Sequence, residues 1–262
     1  MNEIESGMIE WVDLSTPDVE RAQRFYGDLL GWTFNVQQTD MGEYVVAEID
    51  GWQVAGMMAP SPEVTDQPSV WTMFVRVDDM EAAVGRVTDA GGTIAAAPFE
   101  IPGGARVAVV TDRTGAMFAL ISGGPEPDQA YYSERIGGVC WAELMTSSLD
   151  DAVEFYHQVF GWDSETDGAG PIPYTTCRLG TKEVAGMISR PAGAPPQVPD
   201  SWSVYFTVGN CADAEKRATE LGGAVILPAT PTPMGPFAVI ADPMGAAFQI
   251  MQIQEMATKE AD

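Results

Sequence analysis

Between Met8 and Leu14 the chain alternates, with Val12 and Leu14 on one side and Trp11, Asp13 and Ser15 on the other. That is the period of a strand with two unlike faces. The period then changes: Val19, Ala22, Phe25 or Tyr26, and Leu29 recur at three- and four-residue steps, which predicts a helix. Thr16-Pro17-Asp18 opens it, with Pro17 suited to the first turn, and Gly31 ends it. Short strands are predicted at Trp32 to Gln37, Tyr44 to Ile49 and Gln53 to Met58, the last two joined by Asp50-Gly51. The same plan follows again. Val70 to Val77 reads as a strand, and Asp79 caps a helix with Met80, Ala83, Val84, Val87 and Ala90 on one stripe. Gly91-Gly92 ends that helix, and strands are predicted at Thr93 to Ala96, Arg106 to Thr111 and Ala116 to Ile121. Asp112-Arg113-Thr114-Gly115 turns between the last two.

This whole pattern returns 130 residues later, with a one-residue slip near Trp71 and Trp202. Trp11-Val12-Asp13 returns as Trp141-Ala142-Glu143, Phe25-Tyr26 as Phe155-Tyr156, Gly31-Trp32 as Gly161-Trp162, and Val54-Ala55-Gly56-Met57 as Val184-Ala185-Gly186-Met187. Asp112 and Gly115 return as Asp242 and Gly245. In the second copy Ser147 or Ser148 caps the first helix, strands are predicted at Ser203 to Val208, Phe237 to Ala241 and Ala246 to Met251, and a helix at Asn210 to Leu221. A period this long exceeds the ~20–50 residues of solenoid repeats and predicts two tandem domains. The expected boundaries are 1–122 and 137–253, a linker at 123–136 and a polar tail at 254–262. Pro-rich connectors at Ala59 to Ser69 and Ser189 to Asp200 join the halves of each domain.

The 262 residues suffice for each domain to bury its own core. A net charge of −25 opposes nucleic-acid phosphates and anionic lipid, so neither nucleic acid nor membrane is expected as a partner. Cys140, Cys177 and Cys211 form no close pair, which argues against disulfides and zinc. Met1 leads into polar residues without a signal-like apolar run, so a cytoplasmic protein is expected.

The helix ending Phe25-Tyr26…Leu30-Gly31-Trp32 and the closing turns Asp112…Gly115…Phe118 and Asp242-Pro243-Met244-Gly245…Phe248 resemble the glyoxalase / bleomycin-resistance / extradiol-dioxygenase family, the vicinal oxygen chelate superfamily. The resemblance covers nearly the whole chain, twice, and extends to a tandem-domain group provisionally labelled hydroxylases. It implies an α+β fold: tandem glyoxalase-like domains, each of two βαβββ modules forming a curled mixed sheet around a cleft. Enzymes of the family hold a divalent metal there through His and Glu. The corresponding positions here are Trp11 and Trp141, Thr72 and Ser203, Ala119 and Gln249, with a further one near Met57 and Met187. None is His, Asp or Glu, so no metal and no other cofactor is predicted. The single histidine, His157, lies on a helix opposite Gly27 of the first copy and reads as a solvated residue.

If Trp11 faces the cleft, strand alternation adds Asp13, Ser15, Thr72, Phe74, Arg76, Met117 and Ala119. The second cleft would hold Trp141, Glu143, Met145, Ser203, Tyr205, Thr207, Ala247 and Gln249. The expected ligand contacts are Trp11, Thr72, Phe74, Arg76, Trp141, Ser203, Tyr205 and Gln249, although both tryptophans could equally be core filling. Asp13 and Glu143, each two residues past a Trp, are the candidate catalytic acids; desolvation would favour their protonated form. Their alternative role is a carboxylate satisfied by backbone donors or by Arg76. Three functions stay open: a metal-free small-molecule binder; an enzyme using Asp13 and Glu143 or a non-standard metal site; and an interaction module with filled clefts. Family members pair their domains, so the chain is expected to be a monomer built as a pseudo-dimer, or a homodimer.

Overall fold

A computed structural model describes residues 4–60, 68–124, 135–168, 173–191, 193 and 198–253. The expected tail at 254–262 and most of the three connectors lie outside the described residues. In the first domain, β1 (Ile9–Ser15), α1 (Val19–Leu30), β2 (Thr33–Thr39), β3 (Gly42–Ile49) and β4 (Trp52–Met58) form one module. The second module is β5 (Val70–Arg76), α2 (Met80–Asp89), β6 (Thr93–Glu100), β7 (Ala105–Thr111) and β8 (Met117–Gly123). The second domain repeats this with β9 (Val139–Thr146), α3 (Leu149–Phe160), β10 (Asp163–Asp167), β11 (Tyr174–Leu179), β12 (Lys182–Ser189), β13 (Ser201–Thr207), α4 (Cys211–Glu220), β14 (Ala224–Thr230), β15 (Phe237–Ala241) and β16 (Ala247–Met251).

Each domain is one eight-stranded mixed sheet, β2-β3-β4-β1-β5-β8-β7-β6 and β10-β11-β12-β9-β13-β16-β15-β14. The modules meet at an antiparallel pair, β1 with β5 or β9 with β13. Parallel partners flank that pair, β4 and β8 in one sheet, β12 and β16 in the other. The expected α+β tandem architecture is therefore present.

The helix starts follow from their caps. Asp18, Asp79 and Asn210 accept from the backbone N–H three residues on, at 2.9, 2.9 and 3.0 Å. Pro17 therefore precedes the cap instead of occupying the first turn, because the Asp18 side chain takes that cap. Ser148 occupies the cap of α3 without capping; its hydroxyl donates instead to Asp151, at 2.6 Å. β14, the strand that the repeated βαβββ plan places after α4, has only half-buried or exposed residues, because an edge strand carries little hydrophobic alternation.

The expectation of two separate cores is corrected. One hydrophobic cluster runs through both domains. Phe25 and Tyr26 of α1 contact Phe248 of β16, with ring centroids 6.2 and 5.3 Å apart, and Phe155 and Tyr156 of α3 contact Phe118 of β8 at 6.3 and 5.7 Å. The polar tips cross reciprocally. Tyr26 donates to Asp242 at 3.2 Å and Tyr156 to Asp112 at 3.1 Å. Trp32 donates its indole N–H to the carbonyl of Gly137 and Trp162 to that of Gly7, both at 2.8 Å. The repeated Phe-Tyr, Gly-Trp and Asp-x-x-Gly elements thus join the two copies, α1 and α3 each reaching the other domain's sheet.

Candidate functional site

On β1, Val12 and Leu14 point into the shared core, so Trp11, Asp13 and Ser15 stand on the opposite face. The same holds for Thr72 and Phe74 between Met73 and Val75, and for Ala119 between Phe118 and Leu120. The predicted cleft residues therefore share a face. Met57 and Met187 do not: both are fully buried in the core, since the neighbouring Gly56 and Gly186 take the cleft face.

On the face of the first sheet away from the shared core, where the first cleft is expected, three side chains close a triangle. The Trp11 indole N–H donates to Asp13 Oδ1 at 2.8 Å and to the Tyr44 hydroxyl at 3.0 Å, and Tyr44 donates to the same Oδ1 at 2.8 Å. Asp13 pairs across the sheet with Gly56, which pairs in turn with Val46 of β3. A Cβ on Gly56 would collide with Asp13 Oδ1 and the Tyr44 hydroxyl. Any side chain there would have to displace the Asp13 and Tyr44 ends of the triangle.

The second cleft repeats the arrangement with longer reach. Trp141 donates to the Tyr174 hydroxyl at 2.7 Å. Glu143 receives hydrogen bonds from Tyr205 and Tyr174. Gly186 pairs with Glu143, and a Cβ on it would collide with the Tyr174 hydroxyl and lie 2.9 Å from Trp141 Nε1. The exchange of Asp13 for Glu143 goes with that of Phe74 for Tyr205: the longer carboxylate meets the hydroxyl that phenylalanine lacks.

Burial disfavours the charged form of both acids, which are 9% and 8% exposed. Desolvation outweighs the hydrogen bonds from Tyr44 and Trp11 and pushes Asp13 up to about 6. It outweighs those from Tyr205 and Tyr174 and pushes Glu143 up to about 7. Desolvation, reinforced by the adjacent carboxylates, also pushes Tyr44, Tyr174 and Tyr205 up, which keeps them as phenol donors.

Arg76 is placed differently from expectation. A register shift between Ile9 and Trp11 marks a bulge at Glu10, and Arg76 forms a buried ion pair with Glu10, not with Asp13. Its other amino group donates to the Gly123 carbonyl at 3.0 Å. This arginine is therefore committed within the protein and is not a free anchor for a ligand carboxylate. At the twin positions Cys140 and Thr207 make a thiol–hydroxyl contact.

Trp11, Trp141, Thr72 and Ser203 are half-buried at the cleft surface, Phe74 and Tyr205 are buried, and Ala247 is exposed. Phe74, Val107 and Ala119 form a small apolar cluster apart from the main core, with Trp11, Ile101 and Ile121 packed against it. Gln249 is buried in the second cleft. His157 lies on the surface of α3, 62% exposed, against the Trp162 carbonyl at 3.1 Å. Among the described residues no group of three or more His, Cys, Asp and Glu side chains could hold a metal.

Three contributors were absent from the expected set: Tyr44 with Tyr174, Gly56 with Gly186, and Glu10. The tyrosines stand 130 residues apart, in register with the repeat, and the glycines sit in the repeated Val-Ala-Gly-Met, so both pairs carried a signal. Glu10 had none, because its twin is Cys140.

Residues 8–120 match the family described as Glyoxalase/Bleomycin resistance protein/Dioxygenase superfamily, and residues 141–251 match the Glyoxalase-like domain. CFP32 of Mycobacterium tuberculosis, provisionally named a glyoxylase, is 34% identical over 96% of this chain and 97% of its own length. The anthracycline biosynthesis protein DnrV of Streptomyces peucetius is 31% identical over 97% of this chain and 96% of its own. In fold, the chain is similar to the Mn(II)-bound glyoxalase of Novosphingobium aromaticivorans, with a TM-score of 0.64 at 17% identity, covering 95% of this chain and 83% of that one. The 2,3-dioxygenase LapB of Pseudomonas sp. KL28 gives 0.64 at 12% identity, covering 97% and 95%.

Proposed function

The chain belongs to the Glyoxalase/Bleomycin resistance protein/Dioxygenase superfamily, and we propose that it binds a small planar, partly aromatic molecule at the Trp–acid–Tyr face of its clefts without a catalytic metal. The observation that carries this is the hydrogen-bonded Trp, buried acid and Tyr, built twice over a glycine that leaves them room. The half-buried indoles offer flat apolar surface for stacking, and each acid next to them offers a hydrogen bond of adjustable protonation. The name of DnrV adds to this reading, because anthracyclines are planar polycyclic aromatics.

The donor set does not fit the divalent ion of the family's enzymes. Trp, Thr and Ala, or Trp, Ser and Gln, stand at the ligand positions. In the first cleft Asp13 Oδ1 already accepts two hydrogen bonds. Elemental analysis of the purified protein is expected to find no stoichiometric manganese, iron, nickel or zinc; a full equivalent of any of them overturns the metal-free reading.

A panel of planar aromatic compounds tests the binding itself. At a hundredfold excess over Kd a bound ligand contributes ~2.7 kcal/mol, a rise of roughly 5–10 °C in melting temperature. A flat response across anthraquinones, naphthoquinones and flavones would sink the proposal.

The raised acids favour a second reading, an acid/base enzyme acting on the bound molecule. Under it, Asp13→Asn or Glu143→Gln abolishes turnover while leaving ligand affinity within a few-fold. Turnover that survives both substitutions removes this reading.

A further inference from the structure

Gln249 lies on β16 between Phe248 and Ile250, both fully buried in the shared core, so its side chain stands on the cleft face. It is level with Tyr205 of β13 and Val239 of β15. The residue is 7% exposed, and its Oε1 has no hydrogen-bond partner among the described residues. A buried carbonyl oxygen without a donor is unfavourable, and such groups are rare unless something else satisfies them. The first domain avoids the problem, because its residue at this position is Ala119, part of the apolar cluster with Phe74 and Val107.

Around Gln249 three exchanges add polar reach in the second cleft, while the more distant Ser15 to Met145 and Glu10–Arg76 to Cys140–Thr207 run the other way. Ala119 becomes Gln249, Phe74 becomes Tyr205, and Asp13 becomes the longer Glu143. Hydrogen-bonding groups therefore gather around Gln249 and Tyr205, while Phe237 beside Tyr205, with ring centroids 6.1 Å apart, retains an aromatic wall. Resting on the reading of the clefts as ligand sites, we infer that the second cleft is the one that reads polar substituents, and that its ligand is a hydroxylated planar ring whose phenolic O–H donates to Gln249 Oε1. The first cleft, lined by hydrocarbon where the second has Gln249 and Tyr205, holds unsubstituted ring surface. Burial pushes Glu143 up to about 7, so near neutral pH this cleft presents an acid that both donates and accepts, which suits an uncharged phenol.

The test titrates the full chain with 2-hydroxyanthraquinone and 2-methoxyanthraquinone at pH 6, read by quenching of tryptophan fluorescence. The wild type is expected to bind the hydroxy compound at least tenfold more tightly. Gln249→Leu and Gln249→Ala are expected to reduce that preference to within twofold and to keep the affinity for the methoxy compound. Gln249→Ala places the first domain's own residue at the site and so keeps the test open if the leucine is too large to fold. Equal binding of the two probes by the wild type, or a preference that survives both substitutions, overturns the inference and leaves the cleft reading standing. If neither probe binds at all, both fall.

Discussion

Gly56 and Gly186 sit where a methyl group would overlap the hydroxyl of Tyr44 or Tyr174. Gly56→Ala or Gly186→Ala is therefore expected to cost about 1–3 kcal/mol by overpacking, measured by urea denaturation, and to weaken ligand binding with it. A change of less than ~0.5 kcal/mol would mean that the tyrosine can move aside. The acids give a pH dependence with a definite sign. Their folded-state pKa values are raised, so between the unfolded and folded values the native state binds more protons, and stability falls as pH rises. The windows run from 3.8 to about 6 for Asp13 and from 4.5 to about 7 for Glu143. Asp13→Asn and Glu143→Gln should each add up to ~3 kcal/mol at pH 8 and almost nothing at pH 4; a gain independent of pH would contradict the assigned burial of charge. Trp11 and Asp13 were legible as a pair because a strand's period of two places them on one face. Tyr44 was not, because it reaches Asp13 from β3, across β4, and only the strand register brings it there.

The antiparallel junction of β1 with β5 carries an element-scale difference between the copies. In the first domain the bulge at Glu10 supplies a carboxylate to Arg76, while the second domain has Cys140 and Thr207. Removing one member of a buried ion pair leaves the other charge stranded, which costs ~3–5 kcal/mol. Arg76→Thr is expected to cost that much, and the double substitution Glu10→Cys with Arg76→Thr, which copies the second domain, to recover most of it. A double variant no more stable than Arg76→Thr, by equilibrium denaturation, would contradict this. Strand and helix periods made the elements legible, since α1 and α3 carry complete apolar stripes ended by Gly31 and Gly161, each in the left-handed region with φ of 76° and 74°. A bulge breaks the alternation from which facing residues are read, so Arg76 was assigned to the correct face and the wrong partner.

For the whole molecule, hydrophobic period reveals that a face is buried and not which surface buries it. Phe25 and Tyr26 were legible as core, yet their partners Phe248 and Asp242 belong to the other domain. Tyr26→Phe would leave Trp71 without its 3.0 Å acceptor and Asp242 Oδ2 without its tyrosine donor, at a cost of about 1–3 kcal/mol. The two domains should accordingly unfold in one transition; two separated thermal transitions would argue against a shared core. No helix among the described residues is long and apolar enough to cross a membrane. The seven tryptophans divide by role: Trp32, Trp71, Trp162 and Trp202 are buried in the shared core, Trp52 is on the surface, and Trp11 and Trp141 face the clefts. The most direct test of the binding account is therefore the indole N–H region of a 15N-labelled protein titrated with 2-hydroxyanthraquinone. The account predicts that the resonances of Trp11, Trp141 or both shift while the four core indoles stay in place. Shifts confined to the core indoles or Trp52, or a spectrum that does not change, would contradict it.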